Sequence, residues 1–170
     1  RDVPPRQRTE FTEDYLALSR LPAADCDLQT FLDDYLDHVV RLFAATAGAI
    51  WFRAAKGNAL RAKSLRNFDR LGLGDAPPEA HEELLQYTLS RSESFLVKPY
   101  SKPQPKASAA NPTDSFLLLG PVVSNGDRIA IVELALGPTP SRAVTAGDRN
   151  RYVLWLDHLL GFLCQGIEKR

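Results

Sequence analysis

The clearest pattern in the chain runs from residue 28 to residue 43, where Leu28, Phe31, Leu32, Tyr35, Leu36, Val39, Leu42 and Phe43 recur at three- and four-residue steps. One apolar stripe over four turns predicts an amphipathic helix, with Asp33, Asp34, Asp37 and Arg41 largely outside it. Asp27 is placed to cap its first turn. Residues 9–20 predict a shorter helix carrying Phe11, Tyr15, Leu16 and Leu18. Pro22 limits its end, because the residue before a proline avoids helical backbone. Residues 1–10, polar at the start and holding Pro4 and Pro5, read as a linker or arm.

Past residue 46 the period changes from helical to alternating. Residues 47–55 and 60–68 predict two strands joined at Lys56-Gly57-Asn58, with Leu60, Ala62, Ser64, Arg66 and Phe68 on one face of the second. A loop with Gly72 and Gly74 leads to a helix over about 78–91, and Phe95-Leu96-Val97 predicts a short strand. Residues 100–114, broken by Pro103, Pro105 and Pro112, predict a mobile surface loop or a lid. Residues 115–123 and 128–136 predict a second hairpin through Asn125-Gly126, the strongest short-range turn signal present. Thr145 and Asp148 suggest a capping box for a last helix, apolar around more than half its circumference. Hairpins imply an antiparallel sheet, and helices at both ends imply that they layer on it together, an α+β architecture.

Composition narrows the function classes. A chain of 170 residues with 44% hydrophobic and 25% charged residues fits one globular domain. Twenty-one basic residues balance 21 acidic ones. That balance argues against generic nucleic-acid binding, which needs a concentrated basic surface. No apolar run approaches a bilayer span and no signal peptide opens the sequence, so this segment is not expected to insert in a membrane. A cytoplasmic location follows, with a parent protein that a membrane could still tether. The absence of Met, even at position 1, predicts a segment of a longer protein.

The stretch Gly120-Pro121-Val122-Val123, then Gly126, then Ile129-Ala130-Ile131-Val132-Glu133-Leu134 resembles a GAF domain. That family typically shows a small residue or Pro after an apolar strand, a Gly turn, and a pattern close to Ile-Gly-Val-Leu-Glu-Leu. Here Ala130 stands in place of the usual Gly. The resemblance covers about residues 11–170 and extends to the flanking helices, which distinguish it from a PAS domain. It implies terminal helices on one sheet face, with a middle helix and long loop over the other. It also implies a regulatory or sensory module, non-catalytic, with a small-molecule pocket on one face and terminal helices that dimerise. The alternative is a ligand-free dimerisation or scaffolding domain of a larger signalling or membrane-associated protein.

Signatures of particular ligands are missing. No cyclic-nucleotide signature occurs, and neither Cys26 nor Cys164 is followed by the His that accompanies bilin attachment. Two cysteines near terminal helices do not supply the set that GAF-fold sulfoxide reductases use. His38, His81 and His158 have no metal-ligand spacing and read as packed or solvated side chains. No cofactor is therefore identified.

Strand alternation puts Ile129, Ile131, Glu133 and Ala135 on one face, and Ala130, Val132, Leu134 and Leu136 on the other. Glu133 is the candidate pocket residue, with pairing to a neighbouring Arg as the structural alternative. Ser64 and Arg66 are expected to line the same side. A cavity with convergent polar groups there would support sensing, whereas a face filled by its own side chains would remove it. A two-fold homodimer is expected through helices near both termini, around Phe162, Phe11 and Tyr15. The competing arrangement folds the first helix back into that groove.

Overall fold

The computed structural model describes residues 5–71, 73, 78–137 and 146–170, with side chains described from residue 12 of the first helix and residue 150 of the last. Helices α1 (Pro5–Arg20) and α2 (Leu28–Leu42) come first, joined by a 3₁₀ turn at Leu21–Ala23. The expected start at residue 9 is thus too late. Pro5 suits a first helical position, where its missing N–H leaves no hydrogen bond unmade. Residues 5–10 of the expected arm are therefore helix.

Asp27 caps α2 by accepting a hydrogen bond from the Thr30 N–H at 2.8 Å. Strands β1 (Ala47–Arg53) and β2 (Leu60–Arg66) follow, then a 3₁₀ turn at Phe68–Leu71 and helix α3 (Pro78–Leu89). Strands β3 (Phe95–Val97), β4 (Leu117–Ser124) and β5 (Asp127–Ala135) lead to helix α4 (Ala146–Lys169). The Thr145–Asp148 cap, the Gly72 and Gly74 loop and the Phe11 side chain lie outside the described residues.

The five strands form one antiparallel sheet in the order β2-β1-β5-β4-β3. Asn125 and Gly126 turn the β4–β5 hairpin with φ of 52° and 83°. Two successive positive φ values are what a tight two-residue turn requires, and Asn-Gly adopts them readily. One sheet face carries Ile50, Leu118, Val122, Ala130, Val132 and Leu134 against Phe31, Leu32, Leu36 and Val39 of α2 and Leu156, Leu160 and Leu163 of α4. Gly120 of β4 allows this contact: a Cβ there would stand 2.7 Å from Leu160 Cδ1. The opposite face carries Ala47, Leu117, Leu119, Ile131 and Ala135 against Leu84, Leu85 and Leu89 of α3 and Ala109 of the long loop. This is the layering expected from the element order.

The long loop is fastened down. Asn111 is buried, and its Nδ2 donates to the carbonyls of Lys98 at 3.0 Å and Ser115 at 2.7 Å. Its Oδ1 accepts from both the N–H and the hydroxyl of Thr113. An Asx-type turn of this kind replaces ladder bonds that the prolines prevent. The segment expected as a mobile loop or lid is a tied-down cover on the sheet edge.

Candidate functional site

Glu133 sits at the middle of β5, flanked by Ala49 on β1 and Leu119 on β4. Its side chain is fully buried on the α3 face of the sheet. Trp51, two residues along β1 from Ala49, shares that face, and its indole Nε1–H donates to Glu133 Oε1 at 2.9 Å. The first turns of α3 bring His81 over the same carboxylate. Its Nε2 lies 2.8 Å from Oε2 and 3.0 Å from Oε1. Phe68 completes a ring cluster, with centroids 5.5 Å from Trp51 and 5.8 Å from His81. Trp51 and His81 are themselves 5.5 Å apart.

Opposing effects act on His81. Burial pushes its pKa down, while the hydrogen bond and charge of Glu133, helped by Glu82, push it up. The net direction is upward. The pair is a His–Glu contact in a mostly apolar setting, with Leu71, Leu84, Leu85, Leu119 and Ile131 essentially inaccessible around it. Such a pair needs additional hydrogen bonds to offset its desolvation, and the Trp51 indole supplies one. Glu133 pairs with His81 and Trp51, not with an Arg. The helical spacing of His81 with Leu84, Leu85 and Thr88 was the available signal, since it aims the imidazole at the sheet.

Ser64 and Arg66 are not on this face. The register pairs Ile50 with Ser64 and Trp51 with Ala62, so Lys63 is an extra residue in β2. A bulge of one residue reverses the alternation. Ala62 therefore stays on the Trp51 side, while Ser64 and Arg66 turn to α2. The Ser64 hydroxyl donates to Asp33 at 2.6 Å, and Arg66 pairs with Asp37. Both residues tie α2 to the sheet and have no contact with Glu133. A second bulge, at Ile129, moves that side chain to the α2 and α4 side, away from the face expected for it.

The remaining histidines, His38 half-buried and His158 exposed, each bond to a residue of α1. His38 Nδ1 lies 2.8 Å from Asp14 Oδ1, and Tyr15 Oη and His158 Nε2 are hydrogen-bonded at 2.8 Å. Phe162 packs edge-on to Tyr15 with centroids 6.0 Å apart. The expected patch around Phe162 is thus covered in part by α1 of the same chain. Among the described residues no three His, Cys, Asp or Glu side chains group as a metal site, and no helix is long and apolar enough to cross a membrane.

No sequence-family model matches the chain, and no curated protein sequence does. Solved structures do match it. A GAF domain of A. aeolicus nlh2 in an inactive state superposes with a TM-score of 0.70 at 11% identity, covering 96% of this chain and 99% of that one. A free methionine-R-sulfoxide reductase from Neisseria meningitidis, in complex with its substrate, gives 0.65 at 12% identity over 98% and 93%. A phycoerythrobilin-bound GAF domain of a cyanobacterial phytochrome gives 0.54 at 12% identity over 99% of both chains. Such low identities speak to fold alone. In its five-stranded antiparallel sheet, its helix layers and the length of the match, this chain has a GAF-like fold.

Proposed function

We propose that the chain is a non-catalytic regulatory module whose Glu133 face is a closed core, and that it acts through α1 and α4 as a two-fold homodimer. One observation carries the first part: the Glu133 carboxylate is buried with both oxygens held by Trp51 and His81. The side chains a ligand would need are already partnered, and Leu71, Leu84, Leu85 and Leu119 of the same face are themselves buried. Leu16 of α1 and Leu154 of α4 are 41% and 67% exposed, and assembly would cover them. Two free cysteines fit a cytoplasmic setting, where thiols stay reduced.

A sensory reading is favoured by a different observation. A purely structural core has little use for a buried charge pair, because an apolar replacement is often as stable. In that reading a small molecule displaces His81 from Glu133 and α3 moves.

Native mass spectrometry of protein purified from its own host separates the readings. The closed-face reading predicts twice the 18.9 kDa chain mass with nothing added. A stoichiometric organic ligand overturns the closed face and supports sensing, and a monomer overturns the assembly.

A further inference from the structure

A cleft of about 300 Å³ opens at the far end of the sheet from Ala135, between the two hairpin turns and the last turn of α3. Arg53, Asn58, Gln86, Ser90, Asp127 and Arg128 supply its polar lining, and Leu89 its apolar wall. Its volume is at the lower end of small-molecule sites.

The two arginines reach this cleft by separate backbone features. Arg53 ends β1 on the same face as Trp51, two residues away. Arg128 begins β5, and the bulge at Ile129 pairs it with Val123, so it turns to the α3 side. Because Phe52 pairs with Ala130, the two stand at the same end of neighbouring strands. Cations side by side on one face repel each other unless something neutralises them.

No carboxylate in the described residues does so. The Arg53 side chain has no hydrogen bond or ion pair among them, and the Arg128 side chain spends only Nε, donating to the Arg91 carbonyl at 2.9 Å. That bond fixes the guanidinium while leaving its terminal amino groups unbonded. Asp127 is the one acidic residue of the lining; it is exposed and pairs with neither arginine. The α3 carbonyls nearest the cleft are occupied, with Tyr87 and Thr88 accepting from the N–H groups of Ser90 and Arg91. The Gln86 side-chain amide donates to the Asn58 carbonyl, which binds the β1–β2 turn to α3 and closes one wall.

We propose that this cleft binds a small organic dianion through Arg53 and Arg128, its phosphate or carboxylate oxygens received by the two guanidinium groups. Planar guanidinium donors suit either oxyanion, and a ligand of this size fits the volume. The inference does not rest on the closed Glu133 face, since the cleft lies at the sheet end and shares only α3 with it.

The test is a titration of the ¹⁵N-labelled chain with inorganic phosphate and, separately, with succinate. Saturable shifts confined to residues 53, 58, 86–90 and 126–128 are expected with one probe or both, and the better probe names the oxyanion. Arg53→Gln should weaken binding about tenfold or more while leaving the rest of the spectrum unchanged. Lys56→Gln, in the exposed turn but outside the lining, should bind as wild type. Absence of saturable shifts with both probes, shifts spread over the basic surface, or equal losses in the two variants would overturn the site.

Discussion

His81 and Glu133, 52 residues apart in sequence, meet at 2.8 Å on the α3 face of the sheet, with side chains only 12% and 1% exposed. Removing one partner strands the other. Glu133→Ala should therefore destabilise the fold by about 3 kcal/mol, because it leaves the buried His81 imidazole and the Trp51 N–H unpaired. Urea unfolding at neutral pH measures this.

The same contact sets a pH dependence. The folded His81 pKa lies above its ordinary value of 6.5, so the stabilisation is complete below about pH 6.5. It is lost as pH rises through the folded value. The Tm difference between wild type and Glu133→Gln should accordingly narrow on raising the pH from 6.5, as read by calorimetry.

Most of the architecture was legible in the periodicity. The α2 stripe, the Asn125-Gly126 hairpin and the apolar β5 strand each carry local signals that tertiary packing reinforces. The sidedness of two strands was not legible. A bulged residue leaves no compositional trace in Lys63 or Ile129, yet each reverses the alternation beyond it. Strict alternation puts Ser64 and Arg66 on the Glu133 face for that reason alone. Glu133 itself was readable as an acid on an apolar face, whereas its partners required knowing that α3 crosses β4 and β5 and sets His81 beside Trp51.

Gly166 on α4 marks where that helix presses on α2. A Cβ there would stand 1.9 Å from the Phe31 ring, which Arg170 covers from 4.4 Å. Gly166→Ala should cost about 3 kcal/mol or more through overpacking. Gly161→Ala on the same helix meets nothing within 4 Å and should stabilise by about 0.5–1 kcal/mol. Parallel denaturation curves compare the two.

Asn111→Ala should free the loop over residues 98–116. The substitution leaves the Lys98 carbonyl and the Thr113 N–H without their Asn111 partner, while the Thr113 hydroxyl keeps the Ser115 carbonyl at 3.2 Å. A loss of about 2 kcal/mol is expected. Faster amide exchange confined to the loop and β3 would show it.

Arg66 holds the Asp37 carboxyl below its ordinary value, chiefly by a direct hydrogen bond. The resulting stability is present above pH 3.8 and lost as pH falls through the lowered value. Arg66→Gln should bring Asp37 back up and cost under about 1 kcal/mol, because the pair is partly exposed. Carboxyl titration by NMR tests this.

The closure of the Glu133 face is tested most directly by following the His81 imidazole nitrogens and the Trp51 indole N–H together across pH. His81 is predicted to titrate above 6.5, with the Trp51 signal moving at the same midpoint through their shared carboxylate. A His81 midpoint at or below 6.5 with a Trp51 signal indifferent to it would contradict the closed face.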